Sequence, residues 1–104
     1  MLDFVIKAAK IVDGSGRPPF FGDVGISGER IVELGRLDSA TASRVIDGRS
    51  LTLTPGFIDI HSHSDDSLLV NPKAESKIRQ GVTTEVIGNC GYSLAPLVGE
   101  SQKA

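Results

Sequence analysis

The pattern of apolar and polar positions changes character near residue 55. Before that point the apolar runs are short and separated by turn residues. Phe4-Val5-Ile6 opens a strand, Ala8 to Val12 continues it, and Asp13-Gly14-Ser15-Gly16 breaks it. Pro18-Pro19 marks a loop. Asp23 to Ser27 alternates polar and apolar residues. Gly28-Glu29 offers a hairpin turn, because glycine tolerates positive φ, and Arg30-Ile31-Val32-Glu33-Leu34 returns as the partner strand up to Gly35. Val45-Ile46 and Leu51-Thr52-Leu53 read as two further short strands around the turn Asp47-Gly48. Residues 1–54 are therefore expected to form several short antiparallel strands.

After Pro55-Gly56 the run Phe57 to Ile60 is apolar apart from Asp59, as in a strand buried on both faces of a parallel sheet. It ends in His61 and His63. Ser64-Asp65-Asp66-Ser67 reads as a polar loop. Asn71 is placed to cap a helix with Pro72 at its first position, and Gly81 ends it. On that helix Ala74 and Ile78 face the core, and Glu75 and Arg79 form an i, i+4 pair worth about 0.2–0.5 kcal/mol. Val82 to Ile87 is a second β-branched strand, followed by Asn89-Cys90-Gly91. Strand, helix, strand makes one βαβ unit with parallel strands. In such folds the functional residues collect at the C-terminal ends of the strands, and that is where His61, His63 and Cys90 stand.

Composition narrows the function classes without choosing one. The chain has 104 residues, 39% hydrophobic and 23% charged, with a net charge of −2. No basic run suggests nucleic acid, and no polybasic face suggests a membrane. No apolar run approaches the roughly 20 residues of a spanning helix. Met1-Leu2-Asp3-Phe4 lacks the start of a signal peptide, and the single cysteine fits a reducing compartment, so the cytoplasm is the expected location. With no Trp, four Phe and one Tyr, the chain looks short of core.

The histidine pair carries the first chemical signal. Side chains alternate along a strand, so His61 and His63 leave on one face, with Cα atoms roughly 6.6 Å apart. Two imidazoles at that spacing can converge on one metal ion. The bland alternative is two polar residues at an exposed strand end. Cys90 is open on residues alone: a ligand from the neighbouring strand, or a small buried hydrophobe. Gly88 and Gly91 let the backbone bend its side chain toward a pocket. Asp59 lies one layer below His61, either accepting from a histidine or bonding strand-end backbone. Asp65 and Asp66 either enter the pocket from the loop or stand solvated. Gly14-Ser15-Gly16 does not meet the Gly-x-Gly-x-x-Gly pattern, and no Ser-His-Asp set can be assigned.

These residues also form a signature. Pro55-Gly56-Phe57-Ile58-Asp59-x-His61-x-His63, after a block of short strands, resembles the amidohydrolase superfamily. Gly88-Asn89-Cys90-Gly91, with Gln80-Gly81-Val82-Thr83-Thr84, narrows the resemblance to the N-acyl-D-amino-acid deacylases, or D-aminoacylases. It runs from Ile11-Val12-Asp13-Gly14 to Leu94-Ala95-Pro96. The resemblance implies a mixed β and α/β fold. Residues 1–54 would be part of a β-sandwich domain, and residues 55–104 the first two strands and first helix of an incomplete (β/α)8 barrel. His61 and His63 would close the first barrel strand, and Cys90 would join them as a zinc ligand, with one or two zinc ions bound. Zinc-activated water would cleave the amide of a small N-acyl-D-amino acid to a carboxylate and a D-amino acid.

A (β/α)8 barrel needs at least about 200 residues, so the chain reads as an N-terminal fragment. The general base is expected beyond residue 104, no catalytic residue is assigned within it, and the fragment is expected to be inactive alone. Two other readings are carried. One is a truncated metal-binding or interaction module, self-associating through exposed strand edges. The other is a cyclic-amide hydrolase of hydantoinase or dihydroorotase type, against which Asn89-Cys90-Gly91 argues.

Overall fold

A computed structural model describes residues 1–38, 42–96 and 99. The chain divides into two units, Met1–Pro55 and Gly56–Ala104. Apart from Gly99, the stretch 97–104 assigned to the second unit lies outside the described residues.

The first unit is a sheet built on its longest strand, β1 (Leu2–Ile11). Strand β2 (Phe20–Ser27) pairs antiparallel with β1, and β3 (Arg30–Gly35) pairs antiparallel with β2, so the expected hairpin at Gly28-Glu29 is present. The other edge of β1 departs from expectation. Strands β4 (Ala42–Asp47) and β5 (Thr52–Leu53) both run parallel to β1, giving the order β3-β2-β1-β4 with β5 also on β1. Asp47-Gly48 is therefore a jog between two segments of one edge and not a hairpin turn. A bulge in β1 explains the jog. The register shifts between Ile6 and Ala9, and Ala8 sits at φ 56°. Gly48 donates its N–H to the Lys7 carbonyl at 2.7 Å, and a Cβ there would meet that oxygen and Ala9. Only glycine lets the edge pass so close.

Asp23 fastens the same bulge. Its Oδ1 accepts the Ala8 N–H at 2.8 Å, and its Oδ2 accepts the Leu37 N–H at 2.9 Å and Lys7 Nζ at 2.6 Å. The Leu37 amide, then Lys7 and the Ala8 amide, hold its pKa down at about 2. Apolar burial is sparse, as the composition suggests. Val5, Ala9, Ile11 and Val24 are buried, with Ile6, Ile26 and Leu53 packed against the Ala9–Ile11–Val24 group. An open apolar groove of about 270 Å³ runs along this face, reaching Ile31 and Leu34.

In the second unit, β6 (Phe57–Asp59) and β7 (Val82–Glu85) pair parallel, Phe57 with Val82 and Asp59 with Glu85. The parallel pairing is as expected, but the connection between the strands differs. It holds two single-turn helices, α1 (Ser67–Val70) and α2 (Glu75–Ile78). Asn71 closes the first helix by donating its N–H to the Ser67 carbonyl at 2.8 Å, so it caps no helix start. Pro72 has no N–H with which to extend α1. Ala74, left-handed at φ 44°, resets the chain before α2. The Glu75–Arg79 pair is present but long, at 3.8 Å, and exposed. Ile78 is 52% exposed, so it does not face a core.

Strand β6 is also shorter and barer than its sequence suggests. Phe57, Ile58 and Ile60 are 55%, 63% and 76% exposed, against the expectation of a strand buried on both faces. Among the described residues β7 is its single strand partner. The strand stops at Asp59 because that side chain takes the next free amide: Oδ1 accepts the His61 N–H at 3.1 Å.

Candidate metal centre

His61 and His63 lie just beyond β6, past a bend at Ile60 and His61, and are not part of the strand itself. They still stand together, with ring centroids 5.3 Å apart in an edge-to-face arrangement, and Tyr92 packs edge-on to His63 at 5.8 Å. Cys90 arrives from the turn after β7. Asn89–Gly91 forms a single 3₁₀ turn in which Cys90 is itself left-handed, at φ 56° and ψ 27°. Gly88 and Gly91 flank it at φ 81° and 80°. Two consecutive left-handed residues at 90 and 91 aim the thiol back across the loop. An L-residue in that region costs roughly 1–2 kcal/mol, so the turn is held by something other than local preference.

The three side chains converge. Cys90 Sγ and His61 Nε2 lie 3.4 Å apart, and one donor atom from each of His61, His63 and Cys90 falls within 4.8 Å of the others. Tetrahedral zinc with bonds of about 2.0–2.1 Å to nitrogen and 2.3 Å to sulfur sets its ligand atoms roughly 3.3–3.6 Å apart. The cysteine–histidine separation already matches, and the widest separation needs only a side-chain adjustment. Two imidazoles and a thiolate are also the donor types zinc prefers. All three residues are exposed. A cavity of about 390 Å³ in this unit is lined by Leu68, Ala74, Lys77, Ile78 and Val82 and not by the triad.

Asp59 and Asp65 stand outside the donor cluster. Asp59 accepts the His61 backbone N–H, and among the described residues it makes no hydrogen bond to a histidine ring. Its Oδ2 takes Lys77 Nζ at 2.5 Å. Lys77 reaches Glu85 Oε1 at 3.1 Å, and the same oxygen accepts Ser62 Oγ at 2.8 Å and Ser64 Oγ at 3.0 Å. Lys77, then the His61 N–H, holds the Asp59 carboxyl below its ordinary pKa. Ser62, then Lys77, does the same for Glu85. Asp59 and then Glu85 hold the Lys77 ammonium above its own. The histidine loop is thus moored to β7 and α2 by charges that stay ionised. Asp65 is buried and accepts the Gly88 N–H at 2.9 Å, whereas Asp66 is exposed.

Sequence reasoning assigned no role to Ser62, Ser64, Lys77, Glu85 or Asn89. Asn89 Nδ2 donates to the Ser62 carbonyl at 3.1 Å and to the Val86 carbonyl at 2.9 Å. In the sequence Asn89 is marked only as a member of the Gly88-Asn89-Cys90-Gly91 signature, with nothing to show which groups its amide reaches. Lys77 and Glu85 carry no periodic signal.

Comparison with known proteins gives this arrangement a context. No family model matches the chain. Over 95 residues, 91% of this chain, it is 52% identical to N-acyl-D-aspartate deacylase of Alcaligenes xylosoxydans xylosoxydans. A solved structure of D-aminoacylase, studied for the role of its binuclear metal centre, superposes on 95% of the chain with a TM-score of 0.85 and 43% identity. N-acyl-D-glutamate deacylase from Bordetella bronchiseptica, complexed with zinc and a phosphonate inhibitor, superposes on 91% with a TM-score of 0.82 and 41% identity. The chain spans only about a fifth of these relatives: 19%, 21% and 20% of their lengths respectively.

Proposed function

We propose that this chain, which is 45–52% identical to N-acyl-D-amino-acid deacylases over 91% of its length, supplies the first metal-binding wall of a zinc-dependent deacylase. The observation that carries this reading is the convergence of His61, His63 and Cys90, with the thiol 3.4 Å from an imidazole nitrogen. These residues would hold one zinc ion or share two. When bound, zinc at such a site is a Lewis acid that activates water and polarises an amide carbonyl.

The chain's own residues present and orient the donors. Asp59 holds the His61 amide, and Glu85 holds the hydroxyls of Ser62 and Ser64 on either side of His63. The substrate of the whole protein is an N-acyl-D-amino acid, cleaved to a carboxylate and a D-amino acid. Because the chain spans only about a fifth of its relatives' length, the base that moves the proton is assigned to the rest of such a protein, and these 104 residues alone are expected to be inactive. Residues 1–54 are read as part of a β-sandwich, and residues 55–104 as the opening βαβ unit of a (β/α)8 barrel. The parallel β6–β7 pair, with its donors beyond the C-terminal strand ends, supports the second assignment. A cytoplasmic location belongs to the same reading, because a reducing compartment keeps an exposed thiol free.

The exposed Phe57, Ile58 and Ile60 favour a second behaviour for the isolated chain, self-association through uncovered apolar surface. The principal reading is tested with the complete protein on N-acetyl-D-aspartate, N-acetyl-D-glutamate and N-acetyl-D-methionine. Zinc-dependent release of a free D-amino acid is expected, lost on chelation and in C90A. Turnover unaffected by chelation, or full turnover by the 104-residue chain alone, overturns it.

A further inference from the structure

The donor atoms come from two loops, one after β6 and one after β7, so non-covalent bonds set their relative position. Two side chains cross between those loops in opposite directions. Asp65, two residues after His63, accepts the Gly88 N–H with Oδ1 at 2.9 Å. Asn89, immediately before Cys90, donates Nδ2 to the Ser62 carbonyl at 3.1 Å, between the two histidines. The same amide reaches the Val86 carbonyl at 2.9 Å, which also accepts the Ser62 N–H at 3.1 Å. Neither side chain belongs to the donor cluster.

Two observations give this crossing more than a packing role. Asp65 is only 9% exposed, and its Oδ2 is buried without a hydrogen-bond partner among the described residues. A buried carboxylate with a backbone donor on one oxygen and none on the other is a poor stabiliser of a fold. The segment it grips is also the one with left-handed residues at Gly88, Cys90 and Gly91. A strained turn persists only where its surroundings over-determine it, and the bonds of Asp65 and Asn89 bracket the start of this one.

We infer that Asp65 and Asn89 form a reciprocal clasp that holds Cys90 at metal-binding distance from His61. Both are positioning residues acting through the two loops. The inference rests on the metal reading of the triad. Residues that orient ligands typically change metal affinity by 10–100-fold when removed.

The test is a Co(II) titration of the full chain, read by the thiolate-to-cobalt absorption band and the dissociation constant, with far-UV circular dichroism as the folding control. D65A and N89A should bind Co(II) about 10–100-fold more weakly, with a weakened thiolate band. D65N keeps an oxygen for the Gly88 N–H and should bind close to wild type. In a C90A background, D65A should change nothing further, because the loop it holds no longer carries a ligand. N89A removes no charge and carries the test by itself if D65A fails to fold. Wild-type affinity and an unchanged band in D65A and N89A overturn the clasp. So does a D65A effect that persists undiminished in C90A, since that would be a general loosening of the histidine loop. If wild type gives no thiolate band, or C90A binds Co(II) as wild type does, the metal reading falls and the clasp with it.

Discussion

Replacing Asp23 by asparagine should destabilise the first unit by an amount that depends on pH. The carboxylate serves the bulge of β1 and the chain after β3 at once, through the Ala8 and Leu37 amides and Lys7 Nζ. Its side chain is 9% exposed, so solvent screens these bonds little, although Lys7 at 30% is partly hydrated. Lowering its pKa from 3.8 to about 2 corresponds to about 2 kcal/mol of preference for the ionised form in the folded state. A direct count sets the upper side: hydrogen bonds to a charged group contribute about 1.5–3 kcal/mol each, and D23N forfeits the two at Oδ2 while retaining an oxygen for Ala8, a sum that the partial hydration of Lys7 reduces. The expected loss at pH 7 is about 2–3 kcal/mol, or roughly 1–2 M in the urea midpoint for a domain of this size. The folded pKa is depressed, so the contribution is complete above about pH 4, the ordinary carboxylate value. It is lost as pH falls through about 2. The assay is urea unfolding followed by far-UV circular dichroism, since the chain has no Trp. Wild type and D23N should differ at pH 7 and converge near pH 2. A difference below about 0.5 kcal/mol at pH 7, the scatter of ordinary surface substitutions, would refute the reasoning. So would a full-sized difference that survives at pH 2.

Other outcomes follow from the same geometry. G48A should lose about 1–3 kcal/mol by overpacking, because its Cβ would press on the Lys7 carbonyl and Ala9; thermal melts should show the loss, and a neutral variant would mean that the β4–β5 edge can move. C90A should weaken zinc binding, measured by competition with a chromophoric chelator, while H61A and H63A each do the same; equal affinity in all three variants and wild type would remove the site. E85A removes the oxygen that accepts from Ser62 and Ser64, seen as faster hydrogen exchange at the Ser62 amide than in wild type, and unchanged exchange would count against the mooring. G91A meets no atom within 4 Å but sits at φ 80°, so it should cost about 1 kcal/mol through backbone strain alone and disturb the thiolate band of the Co(II) complex.

How much of this was legible depended on whether the deciding interaction was local. The histidine pair announced itself because an i, i+2 spacing keeps two side chains close, even though β6 ends before them at Asp59 and the chain bends at Ile60 and His61. The β1–β2–β3 meander was legible because its turns carry their own residues. The parallel placement of β4 and β5 was not, since the choice of edge depends on the bulge at Ala8 and on Gly48 slipping past it. Asn71-Pro72 misled for a related reason. It is a plausible start of one helix and an equally plausible end of another, and the Asn71 bond to Ser67 selected the end.

The site shows the same division more sharply. His61, His63 and Cys90 could be named from residue type and position. What sets the thiol's place is a left-handed cysteine, a carboxylate on the opposite loop and an amide reaching back the other way. Asp65 and Asn89 act on backbone groups, so no complementary side chain marks their partners. For Asp65 the sequence therefore left open whether it enters the pocket or stands solvated, whereas it is among the few buried polar residues of the described chain. A backbone-directed carboxylate leaves its trace in burial and in an unsatisfied oxygen. For an exposed metal-binding cluster of this kind, those structural traces identify the residues that arrange the donors, whereas sequence spacing identifies only the donors themselves.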